Sequence, residues 1–314
     1  MGRYIAGRIL WMIPTLLLMS LVIFFLMHAT PGSPFQIEKS SAGYVANLNH
    51  QYGLDKPLPV QYVVWIGNVL HGEFGYSTFF KSRKVQEIIV EQFPVSLKIG
   101  AIATLVAFVG GILLGVLAAV NQNGPLDYLS TLIAIFGASM PNFVAAFLLL
   151  FLTVIILPSA FHINLGFKTT WSGSPRDYIL PVISLAVLPL ATIASYTRAS
   201  MLDAIRSDYV RTARAKGVGE RRVIGRHVLK NALMPAITLV GPIFAGIGTG
   251  TFVVEQTFGI PGIGKYFVTS LSNRDYPMIM AVFLLFGAFL TVMTLVFDVV
   301  YGIIDPRVRF VGRR

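Results

Sequence analysis

The stretch Gly259–Tyr266, GIPGIGKY, comes within one residue of a phosphate-binding loop. Such a loop needs Gly, four residues, Gly-Lys and then Ser or Thr. Its amides cradle phosphate, its lysine reaches the terminal phosphates, and its hydroxyl holds magnesium. Tyr266 stands at the hydroxyl position, where its phenol cannot replace a small hydroxyl. Other catalytic groupings are missing. His28, His50, His71, His162 and His227 are scattered, with no His-x3-His pair and no Gly-x-Ser-x-Gly elbow. No carboxylate pair stands out from a loop. With no cysteine, disulfides, thiol catalysis and thiolate metal sites are excluded. We expect no enzyme, and no catalytic, cofactor or metal site.

What must position these residues is a membrane. Apolar residues make up 55% of the chain and charged ones only 12%, about half the usual share. The apolar residues gather in six runs near Ile9–His28, Ser96–Val120, Leu132–Leu157, Ile179–Thr197, Ala236–Val254 and Ile279–Ile304. Each is long enough to cross a hydrocarbon layer of about 30 Å, which takes roughly 20 helical residues. The fourth is interrupted by Pro181 and Pro189. The expected fold class is therefore all-α and polytopic, with six transmembrane helices. The first run is weighed against a secretory signal. Its apolar core exceeds the roughly 7–15 residues of a signal, and Met27-His-Ala-Thr-Pro31 is a poor cleavage site, so it reads as a retained anchor.

Basic residues set the orientation. With the N-terminus cytoplasmic, the inner segments hold Arg3, Arg8, nine basic residues from Arg198 to Lys230, and Arg307, Arg309, Arg313 and Arg314. The short outer loops hold only Lys168, Arg176, Lys265 and Arg274, so fifteen stand against four, as the positive-inside rule demands. The net charge of +11 follows from this topology and from contact with anionic inner-leaflet lipid, rather than from nucleic-acid binding. Both termini are then cytoplasmic, and GIPGIGKY lies outside, where there is essentially no ATP. Gly259, Pro261, Gly262 and Gly264 instead allow a tight path at the outer face. They shape either the mouth of a passage or a plain connecting turn.

Residues 29–95 read as a soluble outer excursion of two or three short amphipathic helices, one around Val60–Leu70 and another around Val85–Phe93. Gly111-x3-Gly115 and Gly246-x3-Gly250 let helix backbones approach closely. Pro14, Pro141, Pro189 and Pro242 should kink their spans. Ser139, Met140 and Asn142, beside the Pro141 kink, are candidate pore-lining residues. Asp298 is the acid well inside a span, and a structural role weighs against a proton relay there. An ATP-independent carrier remains the rival class. It would want several ionisable groups at mid-depth, and the spans supply few.

The cytoplasmic stretch Asp203–Ala236 is the most informative. A helix is expected over Ala204–Lys216, capped by Asp203 and ended by Gly217; a second runs from Glu220 to Leu233, stopped by Pro235. Ala213 and Ala215 leave its backbone approachable, ringed by Arg206, Arg211 and Arg214. Two readings stay open: a knob for a partner's groove, or a basic loop lying on lipid.

This loop resembles that of ABC importer permeases, in which Glu-Ala-Ala-x3-Gly marks the coupling helix against the ATPase. Here Arg211-Thr-Ala213 stands where Glu-Ala-Ala would be, and Gly217 keeps the glycine. Both this departure and the longer spacing from Gly217 to Leu233-Met-Pro235 resemble the oligopeptide and dipeptide branch, with its Asp-Tyr-Val-Arg-Thr-Ala-Arg-Ala-Lys-Gly run. Pro31-Gly-Ser-Pro-Phe35, Tyr52-Gly-Leu-Asp55, Phe93-Pro-Val-Ser96, Gly259-Ile-Pro-Gly-Ile-Gly264, Asn273-Arg-Asp-Tyr276 and Asp305-Pro-Arg307 are similar to that branch as well. The resemblance implies a type I ABC importer permease fold with an extracytoplasmic insertion after helix 1, in a bacterial or archaeal cytoplasmic membrane. Its implied plan is an anchor over 1–28, the insertion over 29–95, a five-helix core over 96–304 containing the coupling loop 198–235, and a tail over 305–314. The implied partners are a homologous second permease in a heterodimer, two ATP-binding subunits, a peptide-binding protein and a peptide, with glutathione, nickel or a metal chelate as alternative cargo. Asp208, Tyr209, Arg211, Thr212, Ala213, Arg214, Lys216 and Gly217 would dock the ATPase.

Overall fold

The computed structural model describes residues 2–29, 55–80, 83–249 and 251–304. The Pro31–Phe35 and Asp305–Arg307 motifs, Tyr52-Gly-Leu54, His50, Gly250 and the tail 305–314 lie outside these. Among the described residues the regular elements are helices, apart from one isolated antiparallel bridge between Tyr76 and Lys84. They are α1 (Gly2–Ala29), α2 (Leu58–Leu70), α3 (Val85–Val120), α4 (Pro125–Ser139), α5 (Asn142–Phe161), α6 (Ile179–Ile205), α7 (Asp208–Ala215), α8 (Glu220–Ala232), α9 (Met234–Gly248), α10 (Phe252–Thr257), α11 (Ile263–Ser272) and α12 (Tyr276–Ile304). Five are long and apolar enough to cross a membrane, and α8 with α9, bent by 46°, makes a sixth if counted as one span.

The chain forms two compact units. The first holds residues 1–96 and 261–292. One of its apolar clusters joins Ile23 and Phe24 of α1 to Tyr276, Ile279 and Met280 of α12, flanked by Tyr62 and Trp65 of α2. A second gathers Val85 and Ile88 with Ile263, Met278, Ala281 and Val282. The buried Asp275 carboxylate accepts a hydrogen bond from the Ser77 hydroxyl and another, 3.1 Å, from the Thr78 amide. That ties residues 77–78 to the start of α12.

The second unit holds residues 97–260 and 293–314. Here α3 lies against α6 at glycines. A Cβ on Gly111 would come within 2.7 Å of Ile193 Cβ, and one on Gly115 within 2.6 Å of the Ala194 carbonyl oxygen. Gly111-x3-Gly115 thus works as expected. For Gly246 nothing lies within 4 Å of the missing Cβ among the described residues; its pattern partner, Gly250, lies outside them.

Several boundaries differ from expectation. Val85–Phe93 is not a separate amphipathic helix but the start of α3, which continues through Pro94. A proline removes one backbone bond without ending a helix held by packing on both sides of it. The expected span Leu132–Leu157 is two helices. Met140 is extended (φ −97°, ψ 116°) because the residue before a proline avoids the helical region. Pro141 therefore divides α4 from α5 instead of kinking one helix, and α5 is the part long enough to span. The expected Ala236–Val254 run ends at Gly248, and a short α10 follows. Pro14, Pro189 and Pro242 do lie inside helices.

Candidate functional site

The loop between the fourth and fifth expected spans folds as a compact hairpin of α7 and α8. Asp203 is not its cap. The Leu- and Ala-rich end of α6 stays helical to Ile205, and Ser207 takes the extended cap position (φ −73°, ψ 154°). The Ser207 hydroxyl donates back to the Ala204 carbonyl at 2.5 Å, so the turn is closed from the preceding helix. The second arm ends at Ala232, one residue before the expected Leu233, and Pro235 sits in the first turn of the next helix, α9, where a missing N–H costs nothing.

Gly217 ends α7 as expected. Its φ of +75° is left-handed, and two bonds close the end: Val218 N–H to Ala213 O (3.2 Å) and Gly217 N–H to Arg214 O (2.9 Å). That pair of bonds defines a Schellman cap. The inner face of α7, Val210 and Ala213, joins Ala119 of α3, Met201 of α6 and Val223, Val228 and Ala232 of α8 in one apolar cluster. Ala213 is thus buried and cannot offer approachable backbone to a partner; Ala215 is exposed. The outer face presents Asp208, Tyr209, Arg211, Thr212, Arg214, Lys216 and Gly217. Arg211 pairs with Asp208 at 3.6 Å, and the Thr212 hydroxyl donates to the Asp208 carbonyl at 2.9 Å. Arg214 crosses the glycine turn to grip Glu220 at 2.6 and 3.1 Å, joining the two arms.

An ion pair that sequence reasoning missed braces this region. Asp127, in the first turn of α4, accepts two hydrogen bonds from Arg198 of α6, at 2.6 and 2.8 Å, and a third from the Asn123 amide at 2.9 Å. The Asp127 side chain is only 5% exposed and that of Arg198 33%. The guanidinium beside it holds the Asp127 carboxyl down to about 2, against the opposing effect of burial.

The backbone of GIPGIGKY is engaged in helix caps and a side-chain hydrogen bond. Gly259, at φ +63°, closes α10 with a second Schellman cap, Ile260 N–H to Glu255 O (2.8 Å) and Gly259 N–H to Gln256 O (3.3 Å). Gly262 caps α11, and Gly264 lies buried in its first turn, so Gly264 belongs to a helix and not to an open turn. The Ile263 amide, which a phosphate would need, donates to Ser96 Oγ at 3.0 Å. Pro261 is half-buried. Ser139, Met140 and Asn142 do flank one backbone break: Ser139 is exposed, and Met140 and Asn142 are half-buried. Among the described residues no three His, Asp or Glu come together as a metal site.

Residues 111–310 match the family model described as the binding-protein-dependent transport system inner membrane component, and residues 1–100 match its N-terminal companion. The chain belongs to this family. It is 41% identical to the dipeptide transport system permease protein DppB of Bacillus subtilis, over 98% of each chain. It is 40% identical to the oligopeptide transport system permease protein OppB of Escherichia coli K12, covering 99% of this chain and all of that one. Among solved structures, the MetNI methionine ABC transporter in an inward-facing conformation aligns with a TM-score of 0.54 at 16% identity, over 69% of this chain and 96% of that one. An amino acid ABC transporter with histidines aligns at 0.51 and 17%, over 70% and 94%. These likenesses show the fold: an all-α, multi-pass membrane protein built as an ABC transporter permease.

Proposed function

We propose that this chain is the permease subunit of an ATP-driven peptide importer, forming half of a translocation pore with a homologous second permease. The observation that carries the reading is 40–41% identity, over nearly the whole chain, to relatives named for dipeptide and oligopeptide transport. Two ATP-binding subunits engage the chain through Asp208–Gly217, and an extracytoplasmic peptide-binding protein delivers the cargo. The geometry of α7 supports the docking role. Its inner face is consumed by the apolar cluster, while its outer face is exposed and rich in hydrogen-bonding groups.

Nucleotide binding in the partner closes the ATPase pair and displaces α7. The spans then shift between inward-open and outward-open populations, driven by the partner's differential affinity for nucleotide. No residue of this chain performs chemistry in that scheme. In the proposed arrangement both termini and residues 198–235 are cytoplasmic, and residues 29–95 are an extracytoplasmic insertion. The five-helix core covers 96–304, and 305–314 form the tail. Gly259, Pro261, Gly262 and Gly264 belong to the outer mouth, and Ser139, Met140 and Asn142 line the pore. The test is co-purification with the ATPase subunits, followed by ATP hydrolysis in liposomes with and without peptide-loaded binding protein. Stimulation is expected; an intact complex whose hydrolysis ignores the loaded binding protein overturns the proposal.

A further inference from the structure

The helix α2 is built inside out for a water-soluble excursion. It contains no charged residue, and none of its thirteen residues is buried. Its hydrogen-bonding side chains near the N-terminal end point inward, onto α1. The Tyr62 hydroxyl bonds Ser20 Oγ at 2.8 Å, and Gln61 Oε1 bonds His28 Nε2 at 3.1 Å. Tyr62 and Trp65 also pack on Phe24, with ring centroids 5.4 and 5.8 Å away. Apart from Asn68, the outward side is apolar: Val60, Val63, Val64 and Leu70 are 45%, 65%, 52% and 78% exposed. A helix that is apolar on the side facing away from its own protein belongs in a core or in a membrane.

Depth decides between them. Ser20 follows Ile5 by fifteen residues, a helical rise of ~22 Å, while the hydrocarbon layer is about 30 Å thick. Arg3 and Arg8 keep the start of α1 at or below the inner boundary. Ser20 therefore lies at least ~7 Å beneath the opposite surface, and any tilt of α1 deepens it. The Tyr62 side chain reaches down to that level, while Gln61, bonded to His28 a further ~12 Å along α1, holds the start of α2 near the outer boundary. The outward valines of α2 continue the apolar surface of α1, where Leu17, Leu18, Leu21, Val22 and Phe25 are exposed.

We infer that α2 is embedded in the outer leaflet beside α1, its Val60–Val63–Val64 side covered by phospholipid acyl chains, and is not part of a soluble domain. At thirteen residues it is too short to span, at about 20 Å of helix. It lies in the leaflet, with Tyr62 and Gln61 bonded to Ser20 and His28 of α1. This rests on α1 crossing the membrane, and not on what the protein carries.

The test uses the absence of native cysteine. Val63→Cys and Val64→Cys, with Leu21→Cys and Glu73→Cys as references, are each spin-labelled in the assembled transporter in phosphatidylethanolamine and phosphatidylglycerol vesicles. Collision with oxygen is then compared with collision with a water-soluble nickel chelate. At Val63 and Val64 the oxygen-to-nickel ratio should match that at Leu21 and exceed that at Glu73 several-fold. Nickel access at the valines comparable with Glu73 places α2 in water and overturns the inference. Shielding from both reagents means that another protein covers the helix, which overturns it equally. Nickel access at Leu21 itself removes α1 from the membrane, and the inference falls with it.

Discussion

At the scale of single residues, the left-handed glycine that ends α7 carries the sharpest expectation. No atom lies within 4 Å of the Cβ that Gly217 lacks, so a substitution there meets open space and acts only through the backbone at φ +75°. Gly217→Val should cost on the order of 1–3 kcal/mol locally and misplace Val218 and the Arg214–Glu220 grip. The complex should insert and assemble while stimulated ATP hydrolysis and peptide uptake fall together; normal uptake would falsify a coupling role. Gly217 was legible because glycine just past a basic last turn is a local stop signal. Asp127 was not, since its partner is 71 residues away and only the fold brings them together. Asp127→Asn leaves Arg198, 33% exposed, without its counter-charge, and should lower the thermal midpoint of the detergent-solubilised protein, at a cost of roughly 1.5–3 kcal/mol. The pair's contribution is complete above the ordinary carboxylate value of about 4 and is lost as pH falls through about 2. The pair's stabilisation should therefore decline progressively between about pH 4 and pH 2, and the Asn variant should lack that decline in an acid titration.

Among the elements, packing overrode local propensity where expectation failed. The Ala- and Leu-rich end of α6 kept its helix past Asp203 because Met201, Leu202 and Ile205 find apolar neighbours there. Val85 and Ile88 joined α3 because their side chains seat against Ile263 and Met278. Periodicity marks such residues as one face of a helix but does not say which neighbour they meet. The glycines of α3 and α9 differ in what lies against them. Gly115→Val would drive a side chain into the Ala194 carbonyl and Thr197, an overpacking cost of about 1–3 kcal/mol or more. Among the described residues, nothing outside the helix's own backbone lies within 4 Å of the Cβ that Gly246 lacks. Thermal unfolding of the two variants, monitored by size-exclusion of the heated protein, should show a clear loss for Gly115→Val. The midpoint for Gly246→Val should be close to that of the parent.

For the whole molecule, the apolar spans were readable from hydropathy, which reflects transfer of groups between water and hydrocarbon; their orientation is an expectation from arginine placement. The mutual packing of distant segments was not readable. Sidedness can be measured directly: Arg211→Cys and Lys168→Cys should react with a membrane-impermeant maleimide from opposite faces of right-side-out vesicles, Lys168→Cys first and Arg211→Cys only after permeabilisation. The reverse order would put the α7–α8 hairpin on the wrong side for any ATP-consuming partner.

The shared cluster beneath α7 has a mechanical meaning. Val210 and Ala213 interlock with Met201 at the foot of α6 and Ala119 at the foot of α3, while Arg214 clamps the second arm. A displacement of the stub should therefore carry the ends of both long helices with it. A pair of distance probes on Tyr209 and Ala119 should keep a constant separation throughout turnover, however far both travel.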